Sequence, residues 1–200
     1  VFPDIGYTFA AGLRTALRQD PDIMMVGESR DQETAYVAIE ASLTGHLVLS
    51  TIHTNSAAET LTRLINLGVK TFLLPATINA IIAQRLVRRI NPAKAKRISF
   101  SDLDINLQQR VKSVIATTPK EEIRVRLSDA IMKDPGFLIP DMTKVSNPDQ
   151  AYEGRIALYE VMEITAGIKD MIMREAPARD IFSAAVRDGM ISLEQDGIIR

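Results

Sequence analysis

The sequence predicts an α/β fold in which helices cover both faces of a parallel sheet. Two short apolar runs, at 23–26 and 46–53, have the length and composition of buried strands. Helical patterns precede the first run, separate the two runs and follow the second. Strands that alternate with helices in this way are typical of a parallel sheet.

The composition excludes several functional classes. The 200 residues are 46% hydrophobic and carry a formal net charge of −1, so no overall field attracts nucleic acid or anionic lipid. There is no cysteine, which excludes disulfides and thiolate metal sites and fits a reducing compartment. The longest apolar stretch, at 72–83, contains Pro75 and Asn79 and is too short to cross a bilayer. Nothing in the sequence indicates a signal peptide.

The first third of the chain contains three helices with clear start and stop signals, over 8–19, 31–45 and 56–68. The starts are the capping residues Thr8, Asp31 and Ser56, and the stops are Asp20-Pro21, Gly45 and Gly68. A further helix is predicted from 74 to 87 or beyond.

The pattern changes between 91 and 150, where five prolines interrupt it. Two short amphipathic helices, at 107–115 and 123–132, indicate a small and mostly helical inserted subdomain. Strand character returns at 154–164, and a helical tail follows with Pro177 in a first turn. We therefore divide the chain into a core at 1–90, an insertion at 91–152, and a returning strand with C-terminal helices at 153–200.

A carboxylate follows the first predicted strand directly. Ligands of open α/β sheets bind at the carboxyl ends of the strands, and Glu28 lies at such an end. Gly27 leaves space there for a phosphate or a water molecule. Glu28 at this position is able to orient or deprotonate an attacking water in phosphoryl transfer. The residues alone also fit an exposed glutamate that opens a loop.

The two histidines do not form a metal site. His46 opens the second strand and His53 closes it, so they lie ~23 Å apart on opposite faces of a straight strand. His53 emerges at the same sheet edge as Glu28 and precedes a capped helix, a position that suits a phosphate sensor. A packed or solvated histidine fits these residues equally well.

Several arginines are candidates for contacts with phosphate. Arg14 and Arg18 share one helix face, and Arg30 follows Glu28 closely. They are either donors to the phosphates of a nucleotide or part of a solvated basic face. A second basic cluster lacks interleaved aromatic residues, so we assign it to a solvated face or a subunit contact: Arg85, Arg88, Arg89, Lys94, Lys96 and Arg97.

Taken together, these segments resemble the secretion ATPases, the motors of type II secretion and type IV pilus assembly. The segment at 13–64, LRTALRQDPDIMMVGESRDQETAYVAIEASLTGHLVLSTIHTNSAAETLTRL, is similar to the Walker B segment and His box of that family. AQRLVRRI at 83–90 and GRIALYE at 154–160 resemble two further family signatures. The four motifs occur in the family's order, and the resemblance covers 6–90 and 154–197.

The resemblance implies a RecA-like motor that hydrolyses ATP with Mg²⁺ at the subunit interfaces of a homo-hexamer. Gly27 matches the glycine of the family's unusual Walker B motif, and Glu28 matches its catalytic glutamate; both are implied to lie at the nucleotide. His53 matches the His-box histidine. The family's arginines near the γ-phosphate and at the interface map to Arg14, Arg18, Arg30 and Arg155. The implied partner is an inner-membrane platform protein, with the motor in the cytoplasm, peripheral to that membrane. We expect no nucleic-acid partner, because the acidic and basic residues nearly cancel.

Three features depart from the family pattern. No G-x-x-x-x-G-K-[ST] motif occurs, so we expect the phosphate-binding half of the RecA-like sheet upstream, and this chain alone to be inactive. NPAKAK at 91–96 stands where assembly motors carry the first cysteine pair of a zinc subdomain, so we expect neither zinc nor another protein-bound metal. Apolar packing then holds the insertion, through Val111, Ile115, Ile123, Leu127 and Ile131. The chain also begins at Val1, not methionine, and ends before the family's usual final helix, which indicates a part of a longer protein.

Within the family, ASLTGHLVLSTIHTN and the long insertion are more similar to assembly motors than to retraction motors. Pilus assembly and type II secretion fit these residues equally. A different class of function is a non-catalytic, ring-forming interaction module, which a GKT or GKS sequence upstream would argue against. A DNA-translocating relative is less well supported, because nothing in the sequence builds a nucleic-acid groove.

Overall fold

The computed structural model describes residues 8–132 and 137–199 and shows a mixed α/β protein. It contains two compact units, one of Val1–Ile81 with Met162–Ala185 and the other of Ile82–Val161 with Val186–Arg200. The helices are α1 (Phe9–Ala16), α2 (Gln32–Leu43), α3 (Ala57–Asn66), α4 (Leu74–Thr77), α5 (Ile105–Ala116), α6 (Glu121–Met132), α7 (Ala166–Met173), α8 (Ala178–Arg187) and α9 (Leu193–Ile199). The strands are β1 (Ile23–Val26), β2 (Leu47–Ser50), β3 (Ala80–Ile90), β4 (Ala95–Ile98), β5 (Phe137–Pro140) and β6 (Tyr152–Glu163).

The predicted starts and stops of the first helices are confirmed. Thr8, Asp31 and Ser56 each accept a hydrogen bond from a backbone N–H in the first turn of the helix that follows. Gly45 and Gly68 follow α2 and α3 with φ angles of 96° and 91°, a left-handed conformation that favours glycine. Local backbone chemistry therefore sets the ends of α2 and α3.

Strands β1 and β2 pair in parallel, from Ile23 opposite Leu47 to Val26 opposite Ser50. Both strands were predicted, but the prediction that both faces are covered is wrong for the described residues. Alternate residues of β1 are buried, whereas Ile23 and Met25 are 61% and 64% exposed. Leu47 and Leu49 on β2 are 50% exposed. Within the described chain, other elements therefore cover only one face of this sheet.

The prediction of a helix from 74 to 87 is wrong. The helix ends after one turn, and the chain continues as β3, which pairs with β6. The N–H of Ile164 donates to the carbonyl of Asn79 at 3.0 Å, and the N–H of Asn91 donates to the carbonyl of Ala151 at 2.9 Å. Pairing with a distant strand has overridden the local helical pattern, a common outcome for Ile- and Val-rich segments.

The inserted region contains both predicted helices, α5 and α6. Val111 and Ile115 form a small buried core, and Phe100, Ile123 and Ile198 pack against it. The predicted contributions of Leu127 and Ile131 lie outside the described side chains. Strands β4 and β5 form an antiparallel pair that was not predicted. Its register runs from Ala95 opposite Pro140 to Ile98 opposite Phe137.

An ion pair connects α5 of this region to α9. Arg110 on α5 donates two hydrogen bonds to the carboxylate of Glu194 on α9. Glu194 accordingly raises the pKa of Arg110. Arg88 of the basic cluster also has partners, since it lies 2.8 Å from an oxygen of Asp149 and 4.0 Å from the centre of the Tyr152 ring.

Among the described residues, no three His, Cys, Asp or Glu side chains come together as metal ligands. No helix in the same part of the chain has both the length and the apolar character needed to span a membrane.

Candidate functional site

The site lies where β1 and β2 end side by side. Because Val26 is opposite Ser50 in a parallel register, the residues after each strand emerge at the same edge. The N–H of Ser29 donates to the carbonyl of Thr51 at 3.0 Å, and the hydroxyl of Thr51 donates to the carbonyl of Gly27. The hydroxyls of Ser29 and Ser50 are 2.9 Å apart. These bonds hold the two strand ends together.

Glu28 lies between a histidine and an arginine at this edge. Its Oε1 is 3.0 Å from Nε2 of His53, and its Oε2 is 2.6 Å from Nε of Arg30. The Glu28 side chain is 21% exposed, whereas that of His53 is 87% exposed. The structure thus brings three of the sequence-predicted residues together, with the carboxylate on the inner side and the two nitrogen donors facing solvent.

Gly27 is glycine at a position where the fold does not require it. A Cβ atom built there meets no atom within 4 Å, and its φ angle is not among the positive ones. The space beside the Gly27 backbone is open to a ligand or a water molecule. Neither packing nor a positive φ angle therefore accounts for glycine at this position.

Asp31, just after this cluster, anchors α2. Its carboxylate accepts hydrogen bonds from the N–H and the hydroxyl of Thr34, at 2.8 and 2.9 Å. The N–H bond from Thr34 is the largest cause that lowers the pKa of Asp31 below its usual 3.8. Asp31 is therefore ionised at neutral pH and holds the first turn of α2 in place beside Arg30.

The structure does not bring Arg14 or Arg18 to Glu28, and Arg155 belongs to the second unit. Arg14 on α1 pairs with Glu33 in the first turn of α2, at 2.9 Å. Arg18 is exposed in the short 3-10 turn after α1. Arg155 is exposed on β6 in the second unit. Neither Arg14 nor Arg18 forms an ion pair with Glu28 in the described part of the chain.

His46 has a structural contact of its own. Its Nδ1 lies 3.1 Å from the carbonyl of Ala41 and 3.1 Å from the hydroxyl of Thr44, at the C-terminal end of α2. This places the imidazole against the last turn of the helix, where ring N–H groups satisfy free carbonyls. His46 and His53 therefore belong to different environments.

Sequence reasoning missed the serine and threonine residues of the site. Ser29 is 6% exposed and, with Ser50 and Thr51, links the two strand ends. A signal was present, because hydroxyl residues directly follow the Gly-Glu pair and directly precede the Ile-His pair. Parallel strands place such residues next to one another, so their pairing was open to prediction.

Comparison with known proteins agrees with this architecture. The sequence model of the family described as Type II/IV secretion system protein matches residues 1–198. The chain is 43% identical over 198 residues to a type IV pilus assembly ATPase PilB of Acinetobacter baylyi and 40% identical over 196 residues to a type II secretion system protein E of Xanthomonas campestris. The two alignments include 99% and 98% of this chain but only 31% of each relative. The chain therefore spans about a third of their length.

Solved structures give the same picture. The structure is similar to the X-ray structure of the Legionella pneumophila ATPase DotB, with a TM-score of 0.54 and 26% identity over 95% of this chain and 37% of that one. The Yersinia pseudotuberculosis ATPase DotB shares the fold, with a TM-score of 0.52 and 20% identity over 92% of this chain and 34% of that one. With the family model matched over almost the whole sequence, the chain belongs to the type II/IV secretion system protein family.

Proposed function

We propose that this chain is the C-terminal catalytic part of a RecA-like ATPase that works as a hexameric motor in type IV pilus assembly or type II secretion. The observation that carries the proposal is the position of Glu28, at the tip of β1 between His53 and Arg30. The relatives named as pilus assembly ATPases and secretion proteins support the choice of motor. Both processes stay within the proposal, because relatives from each match at similar identity.

Glu28 is suited to the hydrolytic step. Its carboxylate is partly buried at the strand edge, and Gly27 leaves the adjacent space open. A carboxylate in such a position orients a water molecule for in-line attack on a phosphorus atom and accepts its proton. The bond that forms joins the water oxygen to the γ-phosphorus, the bond between the γ-phosphorus and the β–γ bridging oxygen breaks, and ADP leaves.

His53 and Arg30 supply donors around the same carboxylate. Both side chains are mostly exposed, so each is free to exchange its contact with Glu28 for a phosphate oxygen. Guanidinium groups keep their proton and match the geometry of phosphate oxygens. In the assembled motor we assign Arg14, Arg18 and Arg155 to the same phosphates or to those bound by a neighbouring subunit.

The residues at this edge fit Mg²⁺ and ATP. Mg²⁺ prefers oxygen ligands and keeps several of its waters, and we assign Glu28 to that water shell. When bound, the ion offsets the charge of the phosphate oxygens. Because this chain has no G-x-x-x-x-G-K-[ST] motif, the loop that cradles the phosphates comes from another part of the full-length protein.

The same proposal includes the motor's surroundings. We place the ring in the cytoplasm, docked on an inner-membrane platform protein of the pilus or secretion machinery. This rests on the family and on the names of the relatives, each about three times as long as this chain.

Replacement of Glu28 by glutamine in the full-length protein tests the proposal. Glu28→Gln keeps the size of the side chain and removes its basicity, so we expect phosphate release to fall by ~10²–10⁴-fold. The affinity for a fluorescent ATP analogue is expected to stay within a factor of about three, because removal of a base acts on the transition state. Glu40→Gln, on the exposed face of α2, is the matched control and is expected to keep normal turnover.

Two outcomes would overturn this assignment. Near-normal turnover in Glu28→Gln would show that the carboxylate is not the base. A wild-type protein that forms rings and binds ATP without releasing phosphate would instead establish the non-catalytic, ring-forming module.

A further inference from the structure

Thr51 contacts the chain on both sides of Glu28. Its hydroxyl donates to the carbonyl of Gly27, and its carbonyl accepts the N–H of Ser29 at 3.0 Å. Glu28 is the residue between these two contacts. We infer that Thr51 is a positioning residue for Glu28, an inference that rests on the proposed function and adds a further residue on which the hydrolytic step depends.

The backbone at Glu28 needs such a contact. A Cβ atom built on Gly27 meets no atom within 4 Å, so no side-chain packing holds the chain at Gly27 itself. The two groups that contact the Glu28 side chain, His53 and Arg30, are themselves 87% and 78% exposed. The contacts from Thr51 act on the backbone instead, where they fix the direction in which the carboxylate leaves β1.

The hydroxyl of Thr51 is the part of these contacts that depends on the side chain. The bond from Ser29 to the carbonyl of Thr51 uses backbone atoms and survives any substitution, whereas the bond to the carbonyl of Gly27 requires serine or threonine. Thr51→Val keeps the branched shape and loses the hydroxyl. Thr51→Ser keeps the hydroxyl and loses a methyl group.

Steady-state ATP hydrolysis by the full-length protein tests the inference. A reacting group displaced by about 1 Å costs up to ~10²-fold in rate, so we expect kcat of Thr51→Val to fall by ~10- to 100-fold. The KM for ATP is expected to stay within about twofold, because loss of a transition-state interaction leaves ground-state binding intact. Thr51→Ser is expected to restore most of kcat.

Thr44→Val is the matched control, because its exposed hydroxyl also donates to a backbone carbonyl, that of Ala41 at 2.9 Å. It is expected to keep the wild-type kcat. A wild-type kcat in Thr51→Val, or equal losses in Thr51→Val and Thr51→Ser, would overturn the inference.

Hydrogen–deuterium exchange of the same samples separates this inference from the proposed function. In Thr51→Val, but not in Thr51→Ser, the peptide spanning 24–31 is expected to exchange faster. Without the hydroxyl bond to the Gly27 carbonyl, the strand ends open more often and the N–H of Ser29 leaves the carbonyl of Thr51. If the wild type shows no turnover, the proposed function fails and exchange alone decides whether Thr51 restrains the Glu28 turn. Unchanged exchange in Thr51→Val would overturn the inference, whatever the rates.

Discussion

Nε2 of His53 lies 3.0 Å from Oε1 of Glu28, although helix α2 and strand β2 separate the two residues in the sequence. The parallel pairing of β1 and β2 produces this contact, because it brings the carboxyl ends of both strands to one edge. An exposed imidazole next to a partly buried carboxylate is able to exchange this contact for a hydrogen bond to a phosphate that binds beside it.

The first prediction concerns His53. In the full-length protein, His53→Ala is expected to lower phosphate release by ~10²-fold, the usual cost of one lost donor at a developing charge. Its melting temperature is expected to stay unchanged, because an exposed side chain contributes little to stability.

His46→Ala is the control for that measurement, since His46 contacts the end of α2 and not Glu28. It is expected to keep normal turnover and to melt at a slightly lower temperature. Equal turnover in the two variants would refute a role for His53.

The second prediction compares alanine substitutions at two glycines. Both have open space for a methyl group, but only one has a left-handed backbone conformation. Gly27→Ala is expected to leave stability unchanged or to raise it by about 0.4–1 kcal/mol, since its φ angle suits alanine and the space is open. Turnover of the full-length protein is expected to fall at least ~10-fold, because the methyl group occupies the approach to Glu28.

Gly45→Ala serves as the comparison, because it also has open space but a φ angle of 96°. It is expected to lose about 1–2 kcal/mol of stability, the cost of a left-handed alanine. Thermal unfolding and phosphate release are measured on both variants. A stable Gly27→Ala protein with full turnover would show that the space beside Glu28 is not used.

The third prediction concerns Arg155 on β6. If Arg155 acts on a nucleotide bound by a neighbouring subunit, Arg155→Ala is expected to lower turnover by ~10³-fold, as for arginine fingers. Its effect on stability is expected to stay within about 0.5 kcal/mol, because the side chain is exposed. The measurement mixes wild-type and mutant subunits and follows ATPase activity against the mutant fraction. A linear decline to high residual activity would assign Arg155 to a solvated face.

The fourth prediction is a pH dependence. The pKa of Asp31 is lowered in the folded chain, mainly by the N–H of Thr34, so the ionised form is the one that stabilises α2. The unfolded chain binds the proton more readily, so this stabilisation is complete above about pH 5 and is lost progressively as the pH falls through the lower, folded value. Asp31→Ala is therefore expected to cost about 1 kcal/mol at pH 7 and less at pH 3.

Urea unfolding of both proteins at the two pH values measures this difference. Asp22→Ala, an exposed aspartate beside β1, controls for the general effect of removing a negative charge. A difference between wild type and Asp31→Ala that is constant from pH 3 to pH 7 would contradict the prediction.

Much of the fold was open to prediction because its signals are local. A cap needs only a side chain and the next turn of backbone, so Thr8, Asp31 and Ser56 mark their helices without help from the rest of the chain. The same holds for left-handed Gly45 and Gly68. Glu28 and His53 followed from one further rule, that parallel strands end at a common edge.

Contacts between distant segments required the folded structure. The segment at 80–90 has residues that suit either a helix or a strand, and hydrogen bonds with β6 decide for the strand. Arg14 and Arg30 are alike as sequence candidates, yet Arg14 pairs with Glu33 and Arg30 with Glu28. The partner of a long charged side chain depends on which elements pack beside it, and that packing is a property of the whole fold, not of the residues on either side of the arginine.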